Sequence, residues 1–101
     1  MKLLWTWGGV FFGYQNNDRL LIYTGKEIGK FYGEEIYSPK GIYLGELKND
    51  NRLIRNTSKQ SKRQPSYSEA LPRTAVQPQC DYVGYILYVG YEDFILPEDL
   101  N

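Results

Sequence analysis

Glu34, Glu35 and Glu46 are the residues of this chain whose spacing comes nearest to catalysis, because paired carboxylates can divide the work of acid and base. Glu34 and Glu35 adjoin in a polar turn between apolar runs. Carboxylates there are ordinarily solvated and unshifted, so no catalytic role is expected of them. The chain has no histidine. That removes the usual zinc ligand, the commonest general base and any Ser–His or Cys–His nucleophile. The single cysteine, Cys80, excludes an internal disulfide and has no neighbouring base, so it reads as a small packed residue. Asn16-Asn17-Asp18 and Asn49-Asp50-Asn51 share only composition with calcium loops, lacking the twelve-residue spacing and the terminal glutamate. The glycines open no helix and precede no Lys-Ser or Lys-Thr, so they form no phosphate loop. Neither a metal nor a cofactor is expected.

The remaining chemistry is recognition. Ten Tyr, four Phe and two Trp give the chain a high aromatic content. Trp5 and Trp7, two residues apart, share one face of a strand. With Tyr14, Tyr37 and Tyr43 they could stack on a sugar or clasp a peptide, with core packing and an oligomer contact as the competing roles. Between residues 55 and 79 five cations (Arg55, Lys59, Lys62, Arg63 and Arg73) face a single acid, Glu69, with Tyr67 the one aromatic among them. That is a weak footprint for nucleic acid, and a solvated loop is the favoured reading. Twelve basic and twelve acidic side chains leave no net charge to steer a distant polyanion.

The elements that carry these residues follow from repetition. An apolar residue, a glycine, any residue and usually a second apolar one recur at Phe12-Gly13-Tyr14-Gln15, Ile28-Gly29-Lys30-Phe31, Leu44-Gly45-Glu46-Leu47 and Val83-Gly84-Tyr85-Ile86. Glycines 13, 29 and 45 fall 16 residues apart. Each copy leads through a polar turn to a second apolar pair: Leu21-Ile22, Ile36-Tyr37, Leu53-Ile54 and Phe94-Ile95. A fixed internal period decides architecture before local propensity does, and here it predicts four β-hairpins around one centre. Asn16-Asn17-Asp18, Gly33-Glu34 and Asn49-Asp50-Asn51 supply the turns, since Asn, Asp and Gly tolerate positive φ.

Parity adds a second expectation. In a flat strand Ile28 and Phe31 point to opposite faces, as do Leu44 and Leu47. A one-residue bulge restores each pair to one face, and glycine in a left-handed backbone is what one bulge class requires. Bulges or close backbone packing are therefore expected at Gly13, Gly29, Gly45 and Gly84. Residues 55–79, with Pro65, Pro72 and Pro78, cannot bury much apolar area and read as a flexible basic insertion. Within it Ser66 could cap a helical turn over 66–71. Residues 97–101 read as a loose tail.

Together Trp7-Gly8, Phe12-Gly13-Tyr14, Leu21-Ile22-Tyr23, Gly25, Ile28-Gly29-Lys30-Phe31, Glu35-Ile36-Tyr37, Gly41, Tyr43-Leu44-Gly45-Glu46 and Arg52-Leu53-Ile54 resemble the four-fold beta-flower domain of uncharacterised bacterial proteins. The resemblance covers residues 5–54 and implies a small all-β fold in a bacterial protein; it brings no activity or catalytic residue. The whole reading is one domain over 1–101: an all-β, closed or nearly closed barrel of about eight strands, as four hairpins with approximate four-fold symmetry. Function is expected to be non-enzymatic, a protein-interaction or small-ligand-binding module. Self-association is its companion, since a small β-domain must cover its strand edges. Nucleic-acid binding through 55–79 is the alternative, and a carboxylate-dependent hydrolase the third reading. The apolar run from Leu3 to Phe12 is too short to span a membrane and lacks a small-residue cleavage site. A cytoplasmic location is expected, with export as the alternative and no membrane partner.

Overall fold

A computed structural model describes residues 1–70 and 72–100. Eight strands follow in order: β1 (Lys2–Thr6), β2 (Phe11–Asn16), β3 (Arg19–Ile22), β4 (Glu27–Tyr32), β5 (Glu35–Tyr37), β6 (Tyr43–Lys48), β7 (Arg52–Asn56) and β8 (Tyr91–Asp93). Strands β1 to β7 pair antiparallel with their sequence neighbours. The ring closes where β1 meets β7 in parallel, with Trp5 opposite Arg52 and Thr6 opposite Leu53. Seven strands thus make a closed mixed barrel. The eighth, β8, lies antiparallel on β7 beyond the end of that seam, at Ile54, Arg55 and Asn56.

Turn chemistry sets the three consecutive hairpins. Asn17, Gly33, Asn49 and Asp50 all take positive φ between the paired strands. The register then slips by one residue at three matching places. Leu4 and Trp5 face Gly13 and Phe11, Leu20 and Leu21 face Gly29 and Glu27, and Ile36 and Tyr37 face Gly45 and Tyr43. Phe12, Ile28 and Leu44 are the extra residues, each just before its glycine. Ile28 and Phe31 therefore share the interior. At Gly29 and Gly45 the need for glycine is crowding, not a left-handed backbone. A Cβ on Gly29 would stand 2.8 Å from the Tyr37 carbonyl oxygen, and one on Gly45 would stand 2.5 Å from that of Ile54.

Strands β1, β3, β5 and β7 each send a side chain into the centre. Leu4, Leu20, Ile36 and Leu53 are fully buried there with Phe12, Ile28 and Phe31. Phe94, just after β8, plugs the same core edge-to-face against Phe12.

Four expectations need correction. The fourth repeat does not form a hairpin at Val83-Gly84-Tyr85-Ile86; that stretch is irregular, and β8 starts at Tyr91. Its tyrosines recur every third residue, and a period of three cannot alternate across a sheet. Residues 66–70 form no helical turn, because the Tyr67 N–H donates to the Pro39 carbonyl; Leu71 lies outside the described residues. The C-terminal residues are not loose: Pro97–Asp99 form a 3-10 turn, Pro97 is buried, and Leu100 packs on the core while its carbonyl accepts from Lys26 Nζ. Asn101 lies outside the described residues. Cys80 is exposed rather than packed.

Candidate functional site: an aromatic rim under a strap

Residues 60–70 and 72–90 run as a strap across the outside of one barrel end, and they attach by one motif used three times. The connections after β1, β3 and β5 each turn on a glycine of positive φ: Gly9, Gly25 and Gly41. The glycine N–H of each donates back to the carbonyl three residues earlier, at Thr6, Ile22 and Ser38. Its own carbonyl accepts from a strap N–H, at Tyr82, Arg73 and Gln64 respectively. Three residues further along the strap a second N–H (Tyr85, Val76, Tyr67) donates to the carbonyl two residues before the glycine, at Trp7, Tyr23 and Pro39. The barrel turns recur every 16 residues and the strap contacts every nine. Side chains are excluded from the crossing: a Cβ on any of the three glycines would lie 1.9–2.0 Å from a strap carbonyl oxygen.

Of the aromatic residues singled out in the sequence, Trp5, Trp7, Tyr14 and Tyr37 meet this strap. Trp5, Trp7, Tyr14, Tyr37 and Tyr43 are all buried, yet none belongs to the central cluster. Trp5 stacks on Tyr82 with ring centroids 4.0 Å apart and donates its indole N–H to the Cys80 carbonyl. Trp7 packs against Tyr85 and Tyr88 and donates to the Ile86 carbonyl. Tyr14 donates its hydroxyl to the Thr74 carbonyl. The aromatics clasp a peptide, and that peptide is the chain itself.

Arg52 pins the crossing at the seam. It is buried, donates to the Thr6 and Trp7 carbonyls on β1 and beyond, and reaches the strap carbonyl of Val83. Among the described residues no carboxylate pairs with it. Its guanidinium instead faces the rings of Tyr82 and Tyr85, 5.4 and 4.3 Å from their centroids.

Tyr37 and Tyr43 belong to a second, charged cluster. Glu35 and Glu46 are direct neighbours across β5 and β6. Lys59, from a 3-10 turn over Thr57–Lys59, binds both at 2.9 and 3.0 Å, and Lys62 adds a second cation to Glu35. Tyr37 donates to Glu35 and Tyr43 to Glu46, with the two rings edge-to-face. The Lys59 bond, helped by Lys62 and Tyr37, pulls the Glu35 carboxyl down to about 2. Burial pushes the Tyr43 hydroxyl well above its ordinary range, and the Lys59 ammonium is raised by its two carboxylate partners. Glu34 stays exposed and outside the cluster. Of the predicted aromatics, Tyr43 also borders a surface cavity of about 350 Å³, alongside Leu44, Ile95 and the Arg55–Glu92 ion pair.

The basic residues of 55–79 are largely engaged. Lys59 and Lys62 hold carboxylates, Arg55 holds Glu92, and Arg63 donates to the carbonyls of Gln60 and Lys62. Gly84 sits where the strap crosses Gly8, whose carbonyl oxygen would lie 2.7 Å from any Cβ there. Sequence reasoning missed the strap as an element, although its signal is present: small residues Ser66, Ala75 and Gly84 stand nine apart. Compared with protein-family models, curated proteins and solved structures, the chain matches none. A closed seven-strand mixed barrel with one outer strand is the architecture on which function must be argued.

Proposed function

We propose that the chain is a non-enzymatic protein-interaction module whose recognition surface is the outer edge of its strap. One observation carries this reading. Val83, Ile86 and Val89 are 86, 89 and 103 % exposed, on a segment whose tyrosines are tied down to Trp5 and Trp7. Contiguous apolar surface held in place mark an interaction site far more often than single exposed hydrophobics do. Of the aromatics first suspected of binding a partner, Trp5 and Trp7 support that surface from below.

The carboxylate cluster does not favour hydrolysis. A general acid at neutral pH needs a carboxyl raised towards 6 or 7, whereas Glu35 is drawn down to about 2 and shares Lys59 with Glu46. Nucleic-acid binding finds little support, since Lys59 and Lys62 face Glu35 and Glu46 rather than a free groove. We further read the barrel as a four-fold flower of the beta-flower type whose fourth unit is divided between β8 and β1. In favour, Leu4 takes the same interior layer as Leu20, Ile36 and Leu53.

Selection of a displayed peptide library on dilute wild-type protein tests the module reading, with Val83→Ser/Ile86→Ser/Val89→Ser as the counter-target. Binders are expected that the triple variant no longer retains. Binders held equally by both proteins would refute the assignment of the surface.

A further inference from the structure

We infer that the partner this edge fits is a second copy of the chain, docked across a two-fold axis at Ile86. The inference rests on the strap edge being a recognition surface, and it adds the identity of the occupant.

The stretch from Tyr82 to Tyr91 reads Tyr-Val-Gly-Tyr-Ile-Leu-Tyr-Val-Gly-Tyr and contains no charged residue. Its side chains repeat every third position. Tyr82, Tyr85 and Tyr88 turn inward onto the tryptophans, while Val83, Ile86 and Val89 stand out from the surface. The outward set is symmetric in sequence: valine, two residues, isoleucine, two residues, valine. In an isologous contact residue i meets residue j and j meets i, so a two-fold axis at Ile86 sets apolar side chains against one another on both sides of it. Laid antiparallel on a second strap, Ile86 meets Ile86, and Val83 meets Val89 at both ends.

Area and charge agree with that occupant. Val83, Ile86 and Val89 with the exposed edges of Tyr82, Tyr85, Leu87 and Tyr88 present on the order of 900 Å² of accessible surface, main chain and hydroxyls included, an upper bound close to the roughly 800 Å² that each partner of a standard interface buries. A charged partner, whether polyanion or acidic peptide, finds no counter-charge along these ten residues. Two copies without net charge do not repel each other. The strap needs no rearrangement to dock, since Trp5, Trp7 and the Gly9 turn already fix it.

Sedimentation velocity on the whole chain, from about 10 µM to about 1 mM, tests the contact. A concentration-dependent dimer is expected for the wild type. Ile86→Asp places two like charges at the axis and should weaken dimerisation at least about a hundredfold. The milder Val83→Ser/Ile86→Ser/Val89→Ser should be monomeric throughout with an unchanged thermal midpoint, which separates lost contact from lost fold. A wild type that stays monomeric to about 1 mM overturns the inference, as does a dimer indifferent to both variants. A monomer that instead floats with phosphatidylcholine vesicles overturns it in favour of a lipid surface. Ridge-dependent peptide binders recovered from a monomeric protein would sink the homotypic contact while leaving the interaction module standing.

Discussion

The strap crosses the barrel end three times with the same pair of backbone bonds, but its crossings differ in what they show to solvent. At Gln64–Tyr67 and Arg73–Val76 the exposed side chains are small or polar (Pro65, Ser66, Thr74 and Ala75), flanked by the half-buried Gln64 and Arg73. At Tyr82–Tyr85 and onward it is Val83, Ile86 and Val89. Backbone geometry shared by all three crossings belongs to the fold, because it is indifferent to sequence. Chemistry confined to one crossing is what structure alone does not require. The polar crossings serve as internal controls for the apolar one.

The largest effect expected from testing this comparison falls on the aromatic support. Trp7→Ala should cost about 3–5 kcal/mol, because a fully buried indole and its bond to the Ile86 carbonyl are lost together. Urea denaturation measures the loss, and amide exchange should accelerate first at Tyr82 and Tyr85 rather than at Gln64. Next come the crossings themselves. Gly25→Val combines φ of +94° with a Cβ 2.0 Å from the Arg73 carbonyl oxygen, and about 2–3 kcal/mol should be lost. If the crossings are equivalent, Gly41→Val and Gly9→Val should match it within about 1 kcal/mol. A much smaller loss at Gly41 would show that the polar crossings hold less tightly than their bonds suggest.

A smaller effect belongs to the charged cluster. The Glu35 carboxyl is lowered in the folded protein from 4.5 to about 2, so the unfolded chain binds its proton more readily. Its contribution is complete above about pH 4.5 and is lost as pH falls towards 2. With partial solvent screening the change should be about 1 kcal/mol, read as a falling urea midpoint. Glu35→Gln should flatten that pH dependence. The smallest effect is expected from Val83→Ser/Ile86→Ser/Val89→Ser, within about 0.5 kcal/mol in dilute solution, since these side chains touch no core residue. A loss of several kcal/mol there would mean that the apolar crossing serves stability after all.

How much of this was legible depended on which period a segment obeys. The 16-residue spacing of Gly13, Gly29 and Gly45, with the Asn and Gly turns, pointed to hairpins closing around one centre. The parity of Ile28 and Phe31 pointed to slips in register. Both are local properties of alternating strands. The strap was missed because its partner groups are turn carbonyls of residues far away in sequence, and such bonds mark side-chain choice only through the nine-residue spacing of the small Ser66, Ala75 and Gly84. Tyr82-Val83-Gly84-Tyr85 imitated the strand motif and so drew the fourth hairpin to the wrong place. The real closure uses Trp5 and Thr6 at the other end of the chain. The aromatics Trp5 and Trp7 were correctly read as sharing a face, but what covers that face is visible only in three dimensions. Glu35 and Glu46 stood among the three suspected carboxylates, but the register that sets them side by side and the Lys59 that binds both are visible only in the structure.

Arg52 has a wider consequence. One guanidinium holds β1 to its parallel neighbour and also grips the Val83 carbonyl. Breathing at the cylinder's closing edge and peeling of the outer segment therefore share a single rivet. A half-opened form that keeps its belt fastened would strip that buried cation of the Thr6 and Trp7 carbonyls and leave it the Val83 carbonyl and two rings, so the two motions should be coupled.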